Sequence, residues 1–187
     1  AGLLAGALAA LVAGRTTVGL AVLGGAVVAK GYAVAVVPAA LIYVWVRGAR
    51  DELRRGVIAF ALAAFLVTAP FLVTGPGGLR HAFTIQTSRG LHIESLGGSL
   101  LAAADRLGLY GANVVSGFAF ELDGSLPDAV AFVATLAQLG ALAAVWLVFR
   151  RGPATGQRLA VAAAAAVVAF AAFGKVLSPQ FLIWVIP

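Results

Sequence analysis

The stretch GVIAFALAAFLVTAPFLVT, Gly56 to Thr74, decides the fold. It is nineteen residues without a charge, and about 20 mostly apolar residues carry an α-helix across roughly 30 Å of hydrocarbon. Arg54 and Arg55 stand before it and Gly75–Pro76 after it. Ala129 to Phe149 meets the same test. Leu159 to Gly174 is shorter but almost pure Ala, Val and Phe. Gly31 to Val46 ends in Tyr43 and Trp45, where an aromatic belt is expected. Ala1 to Gly14 reads as the end of a further helix. Thr17 to Ala29 is only thirteen residues long. It reads as a short or tilted span, as a re-entrant half-helix, or as half of one long tilted helix, Thr16 to Val46, with Lys30 in its middle.

Composition agrees. The chain has 187 residues, 62 % hydrophobic and 11 % charged, with a mean hydropathy of +1.04. Soluble domains are about 45–50 % apolar and about 25 % charged. A water-soluble fold of this size cannot hide so much apolar surface. The expected fold class is therefore all-α: a polytopic transmembrane helix bundle of five or six full or partial spans, forming a single membrane-embedded domain over 1–187. The sequence starts inside one apolar run and stops as another begins, which reads as a piece of a longer chain. The formal charge of +6 does not predict nucleic-acid binding, because the basic residues punctuate apolar segments instead of lining one surface. Cysteine is absent, which excludes disulfides and thiolate metal sites.

Charge predicts orientation. Arg47, Arg50, Arg54 and Arg55 face only Asp51 and Glu52, and Arg150, Arg151 and Arg158 face no acid. Both clusters belong inside by the positive-inside rule, and the two long spans between them make the parity consistent. The segment 75–128 then forms an extracytoplasmic loop. Lys175 emerges on that outer face, and Lys30 is counted to the same face. Arg15 is inside if Thr17 to Ala29 crosses.

A loop of more than fifty residues carries structure or function of its own. Within it Ile93, Leu96, Leu100, Ala104 and Leu107 recur at helical spacing, with Ser95 as N-cap and Gly108 as stop. This predicts an amphipathic helix lying at the membrane interface. Arg89, His92 and Glu94 come just before it. Read plainly, these three are a solvated loop in which Glu94 pairs with an arginine, and Lys30 and Lys175 snorkel to the interface. Pro179 suits a first helical turn capped by Ser178. Gln180 is harder to place so, since polar groups at membrane depth face protein or a water-filled cavity. No nucleophile elbow, P-loop, dinucleotide fingerprint or zinc-binding helix is present, and His81 and His92 have no paired ligand spacing. No cofactor is expected, no metal-binding residues are assigned, and metal dependence is not readable from the sequence.

Two motifs resemble a known family. SRGLHIESLGGSL, Ser88 to Leu100, resembles an extracytoplasmic-loop motif in which Arg is followed closely by Ile-Glu-Ser. GKVLSPQFLIWVIP, Gly174 to Pro187, resembles a motif of the form Lys-x-x-Ser-Pro-Gln-Tyr/Phe-x-x-Trp. Together, with two spans between them, they look like the type C glycosyltransferases of family 87, polyprenyl-phosphate-mannose-dependent α-(1→2) mannosyltransferases and their relatives. AKGYAVAVVPAALI, Ala29 to Ile42, is a looser match: Lys30 and Tyr32 fit, and Pro38 is displaced. The resemblance covers roughly Val18 to Pro187. It implies a multi-pass enzyme of the bacterial plasma membrane with an outward-facing site. Such an enzyme moves a sugar, mannose in the family, from a polyprenyl-phosphate donor to a glycolipid or glycan acceptor. The family's catalytic acid lies in a first outer loop, which this sequence does not include. Lys175, Arg89 and Lys30 would hold the donor phosphate, as a point charge from Lys or through paired hydrogen bonds from Arg. A helix starting at Pro179 would add its positive end. Glu94, His92, Ser178 and Gln180 would bind sugar or acceptor hydroxyls or orient the cations. The rival readings are a transporter or lipid-linked-sugar flippase, whose charges would line a path through the membrane, and a non-catalytic membrane scaffold.

Overall fold

The apolar runs fold as helices, and glycines, a proline and a lysine set where they break. The computed structural model describes residues 1–48, 50–116 and 119–177, without the side chains of residues 86 and 87. In chain order come α1 (Gly2–Val12), α2 (Thr16–Ala29), a 3-10 helix (Gly31–Val36), α3 (Val37–Val46) and α4 (Arg50–Thr74). There follow α5 (Pro76–Ser88), β1 (Leu91–His92), α6 (Leu96–Arg106), β2 (Asn113–Ser116), β3 (Phe120–Asp123), α7 (Ser125–Arg150) and α8 (Gly156–Ala172). The chain divides into two compact units, one of 1–79 with 143–167 and one of 80–142 with 168–187.

In the first unit, α1 and α2 form a hairpin. Gly14 turns it at φ 76°, a conformation open to glycine without a Cβ penalty. Helices α2 and α4 run parallel in register. Thr16 Oγ1 donates to Glu52 Oε2 at 2.8 Å, Leu20 packs over Gly56, and Gly24 lies against the Phe60 carbonyl. A Cβ on Gly24 would stand 2.3 Å from that carbonyl oxygen, so the helices approach this closely only because the residue is glycine. The register leaves α2 about nine residues, roughly 13 Å, short of the end of α4. Thr16 to Val46 is not one long helix. Lys30 takes an extended φ of −159° after α2, a 3-10 stretch follows, and Pro38 sits in the first turn of α3. Proline fits there because that turn has no internal use for its N–H.

The parallel register places Arg15, at the start of α2, at the end of this unit where the Arg47–Arg55 segment lies. The α7–α8 turn joins that end. Leu53, Trp45 and Arg150 line one groove, and the methyls of Val12 stand 2.8 and 3.0 Å from a Cβ built on Gly156. Arg158 turns back on its own loop, donating to the Pro153 and Val148 carbonyls at 2.9 and 3.0 Å. The arginine clusters read from the sequence as sharing one side thus share one end of the unit.

Two helices, α4 and α7, are long and apolar enough to cross a membrane. Only 6 % and 11 % of their most apolar windows are buried, which separates them from the core helices of a soluble protein. Side chains such as Phe65, Leu66, Phe71 and Val73 on α4 and Phe132 and Val133 on α7 are more than half exposed. Surface of this kind is stable where the solvent is lipid. The other apolar helices, of 10–17 residues, are too short to meet the same test. The structure therefore holds a mostly helical chain with two candidate spans among the described residues.

The second unit departs from an all-α reading. A three-stranded antiparallel sheet of order β1-β3-β2 forms inside the 75–128 segment. Helix α5, not read from the sequence, starts directly at Pro76: proline breaks a helix interior but suits its first turn. Helix α6 follows expectation. The Ser95 side chain accepts from the Gly98 N–H at 3.1 Å. At its other end Gly108 adopts φ 67°, and Leu109 N–H returns to the Ala104 carbonyl at 3.0 Å, a Schellman-type stop.

Candidate functional site

The loop from Arg89 to Ser95 is built around β1. Its register pairs Leu91 with Leu122 and His92 with Glu121. Side chains alternate faces along a strand. Leu91 and Leu122 therefore turn together into a small core with Ala131, Leu101 and Val130, and His92 and Glu121 turn to the other face. There the chain that follows α8 covers them. His92 N–H donates to the Lys175 carbonyl at 3.0 Å, and the Lys175 ammonium donates to the Arg89 carbonyl at 2.5 Å. Two segments some eighty residues apart are thus clasped by reciprocal bonds, and the free edge of β1 is covered.

The His92 ring is 1 % exposed. Its Nδ1 lies 3.3 Å from the Leu177 carbonyl oxygen and 4.0 Å from Glu94 Oε2. Its Nε2 lies 3.4 Å from Glu121 Oε1. Among the described residues, Nε2 is a buried nitrogen without a hydrogen-bond partner. A buried polar atom left unpaired costs about 1–3 kcal/mol, and the nearest charged group to Nε2 is the Glu121 carboxylate. Glu121 also takes the Gly90 N–H on Oε2 at 3.0 Å, which fixes the carboxylate beside the ring. Below, Ser95 Oγ donates to the His92 carbonyl at 2.7 Å while capping α6. Gly98 makes this possible, since a Cβ there would stand 2.0 Å from the same carbonyl oxygen.

Of the residues singled out in the sequence, the fold brings Arg89, His92, Glu94 and Lys175 together. Lys175 is half-buried and held to the loop backbone; an ammonium has three donors, so this bond leaves two for a ligand. The Arg89 guanidinium has no hydrogen bond or ion pair among the described residues. Glu94 stands by His92 rather than against an arginine. Lys30 belongs to the other unit, at the junction of α2 and the 3-10 helix. Ser178, Pro179 and Gln180 lie outside the described residues. Glu121 was invisible in the sequence, because only the strand register sets it opposite His92.

Helix α6 packs through Leu101 and its glycines and leaves Leu96, Leu100 and Leu107 at 54 %, 64 % and 73 % exposure. No family model, no curated protein and no solved structure matches the chain.

Proposed function

We propose that this chain is part of a multi-pass membrane glycosyltransferase, one that takes a sugar from a polyprenyl-phosphate donor and passes it to a glycolipid or glycan acceptor. One observation carries the reading: the two segments that resemble family 87 are clasped to each other through Lys175, Arg89 and His92. A motif pair in a scaffold has no need of that contact, whereas a site for an anionic sugar donor needs both cations beside polar groups that grip hydroxyls.

The division of labour follows from the chemistry. The donor is a phosphodiester-like head on an apolar tail. Arg89 offers a planar fork to the phosphate, and Lys175 a point charge with two donors remaining. Both stabilise charge that builds on the phosphate as the glycosyl bond breaks. His92 Nε2, Glu121 and Glu94 form a polar wall suited to sugar or acceptor hydroxyls. The uncovered Leu96, Leu100 and Leu107 would set α6 into the interface, which keeps this wall at headgroup depth. In chain order the site precedes α7 and follows α8, and the Arg150–Arg158 turn lies between them, which supports an outer placement.

The test uses membranes holding the full-length protein and radiolabelled polyprenyl-phosphate mannose. Transfer of label to lipid or glycan is expected. Arg89→Ala and Lys175→Ala each remove a hydrogen bond to a charged group and lower kcat/KM about 10–100-fold. Wild-type transfer in both variants would sink the assignment. Label crossing the bilayer without transfer would replace it with a flippase.

A further inference from the structure

The arginine-rich end of the first unit carries a feature that glycosyl transfer does not use. A groove of about 580 Å³ opens between α3, the start of α4 and the end of α7, within the roughly 300–1,000 Å³ range of pockets that seat small ligands. Its wall is Leu41, Ile42, Val46, Leu53 and Leu147, none of which offers a side-chain hydrogen bond. Its rim is different. Trp45, 58 % exposed, lies at the mouth with the Arg50 guanidinium 5.4 Å from the ring. Arg150 lines the groove too; it is exposed and has no hydrogen bond or ion pair among the described residues. Of the two acids at this end, Glu52 is engaged by Thr16.

We infer that this groove binds an anionic phospholipid, with an acyl chain against the aliphatic wall and the phosphate between Arg150 and Arg50. The apolar wall rejects a sugar or nucleotide, which would leave its hydroxyls unpaired. The arginines favour an anionic headgroup over a zwitterionic one, because basic residues near a membrane surface attract anionic lipid. Trp45 suits the boundary, its indole apolar on the ring and polar at the N–H. The site does not depend on the transferase reading, since it uses none of the same residues.

The full-length protein is placed in nanodiscs of phosphatidylcholine and phosphatidylglycerol carrying, in separate samples, a photoreactive acyl chain on one lipid or the other at equal mole fraction. Adducts are mapped by peptide mass spectrometry. Peptides spanning 41–46 and 143–150 should take roughly fivefold more label from the glycerol lipid, the enrichment one basic residue gives near an anionic surface. The bare α4 face around Phe65 and Phe71 should label equally from both. Arg50→Gln with Arg150→Gln should bring the groove to parity and leave the α4 face unchanged, which also reports that the variant is folded. Equal labelling of the wild-type groove overturns the proposal, as does a preference that survives the double substitution. Absence of adducts there also overturns it and shows another segment of the protein covering the groove. Labelling that falls as protein density rises overturns it in favour of a second copy.

Discussion

Gly98→Ala tests the architecture of the candidate site. The new Cβ would sit 2.0 Å from the His92 carbonyl oxygen and 2.9 Å from both the His92 carbonyl carbon and Ile93 Cα. All three are backbone atoms, so no side chain can swing aside. Reaching ordinary contact requires the strand and the start of α6 to part by roughly 1.4 Å at a site packed to interior density. Overpacking of this kind costs about 1–3 kcal/mol. The same movement pulls the His92 carbonyl from Ser95 Oγ and Ser95 N–H, now at 2.7 and 3.0 Å, and loosens the cap of α6, worth about 1 kcal/mol. Alanine returns about 0.5–1 kcal/mol of helix propensity. The net loss is about 1–3.5 kcal/mol, or about 2–14 °C in Tm for a domain of this size. The assay is thermal unfolding of the purified full-length protein in mild detergent, followed by far-UV circular dichroism, alongside the transfer rate. Gly78→Ala is the control, because a Cβ there meets nothing within 4 Å, and it should hold or slightly raise Tm. A Gly98→Ala protein melting within about 1 °C of wild type, where at least about 1 kcal/mol should show as about 2 °C or more, refutes the close contact between β1 and α6.

The same logic applies to Gly24, where a Cβ would meet the Phe60 carbonyl at 2.3 Å: Gly24→Ala should cost about 1–3 kcal/mol, while Gly25→Ala, facing open space, should be neutral in the same melt. Trp146→Phe removes the indole N–H donated to the Ala35 carbonyl at 3.0 Å. It should lower stability by about 0.6–1.5 kcal/mol, read from denaturant unfolding. Glu121→Gln can still accept from Gly90 N–H, so it should keep wild-type stability. Glu121→Ala should lose about 1 kcal/mol, the low end for a charged acceptor whose side chain is 31 % exposed. A transfer rate reduced in both variants would show that the charge beside His92 matters, and one reduced only in the alanine variant that the geometry does.

Local signals were legible where the physics is local. The uncharged run from Gly56 to Thr74 needs only length and hydropathy to read as a candidate span. Ser95 before an apolar helical period, and Gly108 after it, specify the ends of α6 because a cap bond and a left-handed φ involve neighbours alone. Gly75–Pro76 was legible in the same local terms as the stop of α4 at Thr74, while the helix that begins at Pro76 was not read from the sequence. Thr17 to Ala29 left three readings open, and the structure removes the one long helix, because the chain is extended at Lys30 and continues as a 3-10 stretch.

The candidate site is the opposite case. Arg89, His92, Glu94 and Lys175 stood out by residue type, as charges placed beside apolar runs, and that much needed no structure. Their meeting did, because bonds between residues more than eighty positions apart leave no periodicity to read. The sheet was hidden for a related reason. Strands of two and four residues are too short for alternation to register, and they exist because pairing satisfies backbone groups across the loop. With the sheet came Glu121, an acid among five in the loop until the register set it against His92. The sequence alone determined the candidate spans, since transfer to lipid depends on composition along a stretch. Only the tertiary structure decided which polar groups share a wall, since that depends on which strand edges and helix ends meet.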